Sequence, residues 1–206
     1  MLQGLYAITD ARLTPEPQLL AKVRAALRGG AQVVQFRDKS DDHSARLRQA
    51  CALAKLCQEF ERPLIINDDP ELALACGAAG VHLGQRDGGL EKARALLGAK
   101  AIIGMTCHDS LQLAQQAEQQ GADYVAFGAF FPSTSKPLAE PASLSVLQQA
   151  RQQLRVPIVA IGGISVDNAP LLITRGVTMV AVIQALFAAD DIQDRAQQFS
   201  ALFDRE

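Results

Sequence analysis

No stretch of this 206-residue sequence reaches the run of roughly 18 uncharged apolar residues that a membrane span requires. The most hydrophobic window, Val177 to Ala189, is broken by Thr178 and Gln184. The opening segment, MLQGLYAITDAR, lacks a basic stretch and meets Asp10 early, so it does not read as a secretory signal. The cysteines, Cys51, Cys57, Cys76 and Cys107, form no CxxC pair and no zinc spacing. Three of them fall in helical-looking stretches and read as buried thiols, and a cytoplasmic location follows as the expectation. No excess of one charge is present: 20 basic against 22 acidic side chains leave a formal net charge of −2. That balance argues against a nucleic-acid binder, which carries a basic face. With 49% hydrophobic residues and 20% charged ones, the chain has enough apolar area to fold, which excludes disorder. No linker, low-complexity tract or charge run divides it.

What the sequence does contain is an alternation. Eight short β-branched or apolar runs recur: Leu5–Thr9, Val33–Arg37, Leu64–Asn67, Gly80–Leu83, Ala101–Met105, Tyr124–Gly128, Pro157–Ile161 and Met179–Ile183. Each is followed by a segment of helical spacing: Pro17–Arg28, His43–Phe60, Pro70–Ala75, Leu90–Leu97, Leu111–Gln120, Leu144–Leu154, Val166–Thr174 and Ile192–Phe203. Gly29-Gly30, Gly77, Gly98, Gly121 and Gly176 stand where helices close. Several runs are almost wholly apolar, as parallel strands buried on both faces must be. Eight such units predict an α/β fold, a single-domain (β/α)8 TIM barrel over residues 1–206 and near the minimal length for that fold. A doubly wound open sheet is the alternative, disfavoured by the absence of a dinucleotide-binding fingerprint.

In such a barrel, chemistry belongs at the C-terminal ends of the strands. Those ends read Gln35-Phe36-Arg37-Asp38-Lys39, Asn67-Asp68-Asp69, His82 to Asp87, Thr106-Cys107-His108, the loop Ser133-Thr134-Ser135-Lys136, Gly162-Gly163-Ile164, and Ile183-Gln184. Period-two alternation puts Gln35, Arg37 and Lys39 on one side. Cations (Arg37, Lys39, Lys136), hydroxyls and bare glycines suit phosphate oxygens. Asp68 and Asp87 would repel a phosphate unless a divalent cation sits between, and Mg2+ is held in that way, by one or two carboxylates plus substrate phosphates. Three cations, two aspartates and one such ion leave about three positive charges against roughly three negative ones on a bound diphosphate. The glycine turn after the seventh strand suggests a second anion site. Two subsites mean either one bisphosphate or two phosphorylated small-molecule substrates.

The ordered set LYAITD, VVQFRDK, LIINDD, GVHLGQRD, IIGMTCH, YVAFGAFFPSTSK, VAIGGI and VAVIQAL, spanning residue 5 to about 187, resembles the thiamine-phosphate synthase family. The resemblance implies a transferase that joins a hydroxymethylpyrimidine diphosphate to a thiazole phosphate, carboxylated or not, with release of diphosphate. It implies that Gln35, Arg37, Lys39, Asn67, Thr106 and Lys136 bind the pyrimidine diphosphate. Ser133, Thr134, Ser135, Gly163, Ile183 and Gln184 would hold the thiazole phosphate, and Asp68 and Asp87 the Mg2+. The implied reaction is dissociative and needs no protein nucleophile, and a homodimer is compatible with it.

Four positions depart from the family pattern. Asn-Asp-Arg after the third strand is here Asn67-Asp68-Asp69, threonines in the sixth loop are Ser133 and Ser135, and a frequent serine is Gln184. Asp69 before Pro70 reads as a helix cap, His82 as a hydrogen-bonded core histidine and His43 as a surface residue. His108 is open between substrate contact and support of a neighbour. Two other functions compete with this one. A thiazole tautomerase on the same barrel would need no diphosphate-bound metal, which Asp68 and Asp87 argue against. A non-catalytic barrel that binds thiamine precursors leaves the combined metal and cation set unexplained.

Overall fold

Strands of four to seven residues close on themselves in chain order, each parallel to its neighbours. The computed structural model describes residues 2–87, 89–132 and 142–204. The strands are β1 (Gly4–Ile8), β2 (Val33–Phe36), β3 (Leu64–Asn67), β4 (Gly80–Leu83), β5 (Ile102–His108), β6 (Tyr124–Phe127), β7 (Ile158–Ile161) and β8 (Met179–Val182). The helices are α1 (Glu16–Arg28), α2 (His43–Glu59), α3 (Pro70–Cys76), α4 (Leu90–Leu97), α5 (Leu111–Gln119), α6 (Leu144–Gln153), α7 (Ala169–Ile173), α8 (Gln184–Phe187) and α9 (Ile192–Ser200). Pairing of β1 with β8, Gly4 against Met179 through Ala7 against Val182, completes the barrel. Among the described residues, no helix is long and apolar enough to cross a membrane.

Alternation divides the apolar residues into two clusters, because successive side chains leave a strand on opposite faces. Leu5, Ala7, Val34, Phe36, Val125 and Phe127 face outward and pack with the helices. Tyr6, Ile8, Val33, Ile65, Tyr124, Val159 and Met179 face inward and fill the barrel. Tyr124 reaches the centre because β5 carries Gly104 opposite it; a methyl group there would occupy the tyrosine ring. Tyr6 meets Tyr124 edge to face at 5.9 Å between ring centroids.

Helix caps, of which the sequence reading singled out Asp69 and the closing glycines, explain the cut points. Asp42, Asp69, Ser110 and Asp191 each accept a backbone N–H in the first turn of the helix they precede. Gly77 ends α3 in the left-handed conformation at φ 69°. Three differences from the sequence reading stand out. β5 runs on to His108, past a register shift between Thr106 and His108 that keeps it paired with β6. α7 is shorter, since Asn168 takes the Ser165 N–H at 2.9 Å and donates to the Gly163 carbonyl at 3.0 Å, holding the preceding residues in a turn. α8 was not foreseen; it is a single turn inserted between β8 and α9. The thiols differ too: Cys57 is buried and pushed up to about 12 by desolvation, whereas Cys51 and Cys76 are only partly buried.

Gly104→Ala should therefore overpack the barrel centre and cost about 2 kcal/mol. Urea unfolding would register this as a lower midpoint at unchanged slope.

Candidate active site

Two recesses open at the C-terminal ends of the strands, and they differ in charge. The first, of about 500 Å3, descends into the barrel. Its floor and walls include Tyr6, Ile8, Gln35, His82, Thr106 and Ala126, and its far rim Gly162, Gly163, Ser165, Ile183 and Gln184. Arg37 is the one Lys, Arg, Asp or Glu among its described lining residues. The second, of about 460 Å3, lies over β2 and β3 and is lined by Asp38, Asp41, Asp68, Asp69 and Glu71 against Lys39 and Arg46. Asn67 borders both.

Strand geometry explains the partition. Gln35 and Asn67 occupy inward positions, register partners of Ile8 and His82. Asp68, one residue beyond β3, turns the chain at φ 63°, a left-handed conformation that aspartate tolerates better than most side chains. Asp87, beyond β4, accepts the Gly84 N–H at 2.6 Å and lies within hydrogen-bonding reach of Asp68. Burial pushes the Asp68 carboxyl up, the Asp87 carboxylate pushes it further, and Lys39, with its Nζ 3.9 Å away, and Asn67 pull it down. A like-charged pair of hard oxygen donors fits a divalent cation. Mg2+ is held by such a donor set, one or two carboxylates, with water and substrate phosphates completing its shell.

Beneath the first recess, polar side chains are linked across the barrel. Gln35 Nε2 donates to Tyr6 Oη at 2.8 Å, and Tyr6 Oη lies 2.8 Å from Tyr124 Oη. Tyr124 Oη is 3.0 Å from His82 Nδ1, and His82 Nε2 is 2.8 Å from Thr106 Oγ1. His82 also stacks on the Tyr124 ring at 5.5 Å.

A model of the thiamine monophosphate synthase family matches residues 5–186 of the chain. The chain belongs to that family. Thiamine-phosphate synthase of Marinobacter nauticus is 57% identical over 204 residues, covering 98% of this chain and 91% of the relative. Its counterpart from Alcanivorax borkumensis is 53% identical over 205 residues, 98% and 94% of the two chains. The solved structure of thiamine phosphate pyrophosphorylase from Pyrococcus furiosus superposes with a TM-score of 0.88 at 35% identity, over 98% of this chain and 95% of that one.

Measured against the residues that the family resemblance singled out, the structure brings Gln35, Arg37, Asn67, Thr106, Gly163, Ile183 and Gln184 to one cavity. It sets Lys39 and Asp68 in the adjoining acidic recess, and Asp87 beside Asp68. Ser133, Thr134, Ser135 and Lys136 lie outside the described residues. Gln35 is 3% exposed and donates to Tyr6, so its amide does more than face a ligand. The glycines after β7 are required by packing as well: a Cβ on Gly163 would strike the Pro132 carbonyl, and one on Gly162 the Ala129 side chain. His82 is hydrogen-bonded, as read, yet it also lines the cavity. His108 lines the cavity too, at φ 54°.

At position 69, where the resemblance expects arginine, the aspartate's charge is neutralised within the protein. Asp69 accepts the Leu72 N–H at 2.8 Å as the cap of α3 and pairs with Arg46 of α2 at 2.7 Å. Sequence reasoning missed Arg46, which sits in a helix rather than at a strand end, and missed Tyr6 and Tyr124, whose inward positions were legible but whose meeting across the barrel was not.

Two outcomes follow. Asp69→Ala removes a cap and a partly buried ion pair and should cost about 1–2 kcal/mol in thermal or urea unfolding. Asp68 has a folded-state pKa above its unfolded one, so keeping it charged lowers stability above both values and not below them. Asp68→Asn should thus stabilise the metal-free protein at pH 7, and the gain should vanish once pH falls below the ordinary aspartate value of about 3.9. Urea midpoints measured in chelator across this range would check it.

Proposed function

We propose that this chain is a thiamine-phosphate synthase, joining hydroxymethylpyrimidine diphosphate to a thiazole phosphate to give thiamine phosphate and diphosphate. The observation that carries this reading is the pairing of a weakly charged, aromatic-floored cavity with an acidic recess across the shared Asn67. A flat heteroaromatic ring suits the first, and a diphosphate accompanied by a divalent cation suits the second. The family membership and the similarity to thiamine-phosphate synthases support the same activity.

In this reading Arg37, Asn67 and Lys39 bind the diphosphate, with Lys136 as a further donor, and Asp68 and Asp87 hold Mg2+. Bound there, Mg2+ would act as a Lewis acid that stabilises negative charge on the leaving group. The cationic side chains share that stabilisation as the carbon–oxygen bond breaks and the electron pair leaves with diphosphate. Gln35 and Thr106 orient the pyrimidine, whose amino group spreads the positive charge left on the methylene carbon. Gly163, Ile183 and Gln184, with Ser133, Thr134 and Ser135, place the thiazole phosphate so that its ring nitrogen meets that carbon. Positioning of the two partners supplies much of the rate.

Purified protein incubated with both substrates and Mg2+ should form thiamine phosphate and diphosphate in equal amounts, and chelation should stop it. Saturating substrates without product would refute the reading. Asp87→Ala should lower Mg2+-dependent turnover by roughly 100-fold, on the order of the several kcal/mol a metal supplies, with the far-ultraviolet circular dichroism unchanged.

A further inference from the structure

We infer that the barrel interior holds a directed hydrogen-bond relay, Gln35 to Tyr6 to Tyr124 to His82 to Thr106, that makes Thr106 a donor into the cavity. Direction follows from proton counting. Tyr6 Oη receives a proton from Gln35 Nε2, and among the described residues Tyr124 Oη is the one acceptor within reach of this buried hydroxyl, so its own single proton goes there. Tyr124 has then accepted once, and its proton goes to His82 Nδ1. A ring nitrogen that accepts is unprotonated, so His82 is the Nε2–H tautomer and donates to Thr106 Oγ1. Thr106 has no other described partner for its hydroxyl proton, and its side chain lines the cavity. The proton therefore faces the ligand.

Burial favours this arrangement. Both tyrosine hydroxyls are completely buried and pushed well above their ordinary value by desolvation, so each keeps its proton at neutral pH and donates it. An unpaired hydroxyl in this interior would be costly, which locks the links together. Tyr6, Tyr124 and His82 are positioning residues for Thr106. The Thr106 hydroxyl selects a ligand atom with a lone pair, such as a ring nitrogen of a heteroaromatic substrate; the identity of that ring rests on the synthase reading above, while the relay does not.

The test begins without substrate. Two-bond proton–nitrogen correlation spectra of the histidine-labelled protein, with His43 and His108 assigned by replacement with Gln, should show His82 in the Nε2–H form. An Nδ1–H form or an imidazolium would overturn the relay as directed. In Tyr6→Phe, three hydrogen bonds from Thr106, the direction is released and both His82 tautomers should appear. A single unchanged Nε2–H tautomer would mean that the polarity is set locally, and the relay would fall. In turnover assays Thr106→Val should lose about tenfold in kcat/KM, mostly through the KM of the pyrimidine substrate, and Thr106→Ser should recover to within about twofold. Wild-type values in Thr106→Val would remove the donor role. Thiamine phosphate absent from a protein showing the expected tautomer would refute the synthase assignment alone.

Discussion

Closing eight parallel strands leaves an interior that side chains must fill, and here the filling is arranged around one buried tyrosine. Tyr124 takes the space that Gly104 leaves, its ring stacks on His82 and meets Tyr6, and its hydroxyl is linked to both. Water has little access at that depth, so every polar atom carried inward must find a partner inside the protein. The hydrogen-bonded chain meets that requirement. It also forms the floor of the cavity in which a ligand would lie, so that core packing and ligand contact share residues.

Above this floor, electrostatics divides the labour. The cavity has Arg37 and no carboxylate among its described lining residues, whereas the neighbouring recess collects five carboxylates and two cations. The two environments are separated by a single residue step on β3: Asn67 ends the strand facing inward, and Asp68 turns away in a left-handed conformation. A barrel rim can thus present an aromatic-sized slot and an ion-binding surface within a few residues of each other. One of those five carboxylates, Asp69, is neutralised by Arg46, which reaches it from the adjacent helix α2.

Much of this was legible in the residue order. Alternating apolar runs and helical spacing located all eight strands, and α1 to α6 to within a residue at each end, because burial writes itself into local composition. The Asp69 cap was legible because its hydrogen bond is local, satisfied within three residues. Less legible were α8, a single turn without a periodic pattern, and the extension of β5, which depends on pairing with β6 through a register shift. Arg46 escaped notice because its role comes from the side that α2 turns toward β3, not from any strand end.

By itself the sequence determined the fold class, the inward or outward face of each strand residue and the pool of charged groups at the rim, all consequences of short-range periodicity. Only the tertiary structure decided which members of that pool meet. Asp68 and Asp87 come together because β3 and β4 are neighbours in register, and Tyr6 and Tyr124, 118 residues apart, because closure of the barrel brings β1 and β6 face to face. Spacing along a chain specifies direction; partners across a closed sheet are set by strand order and register.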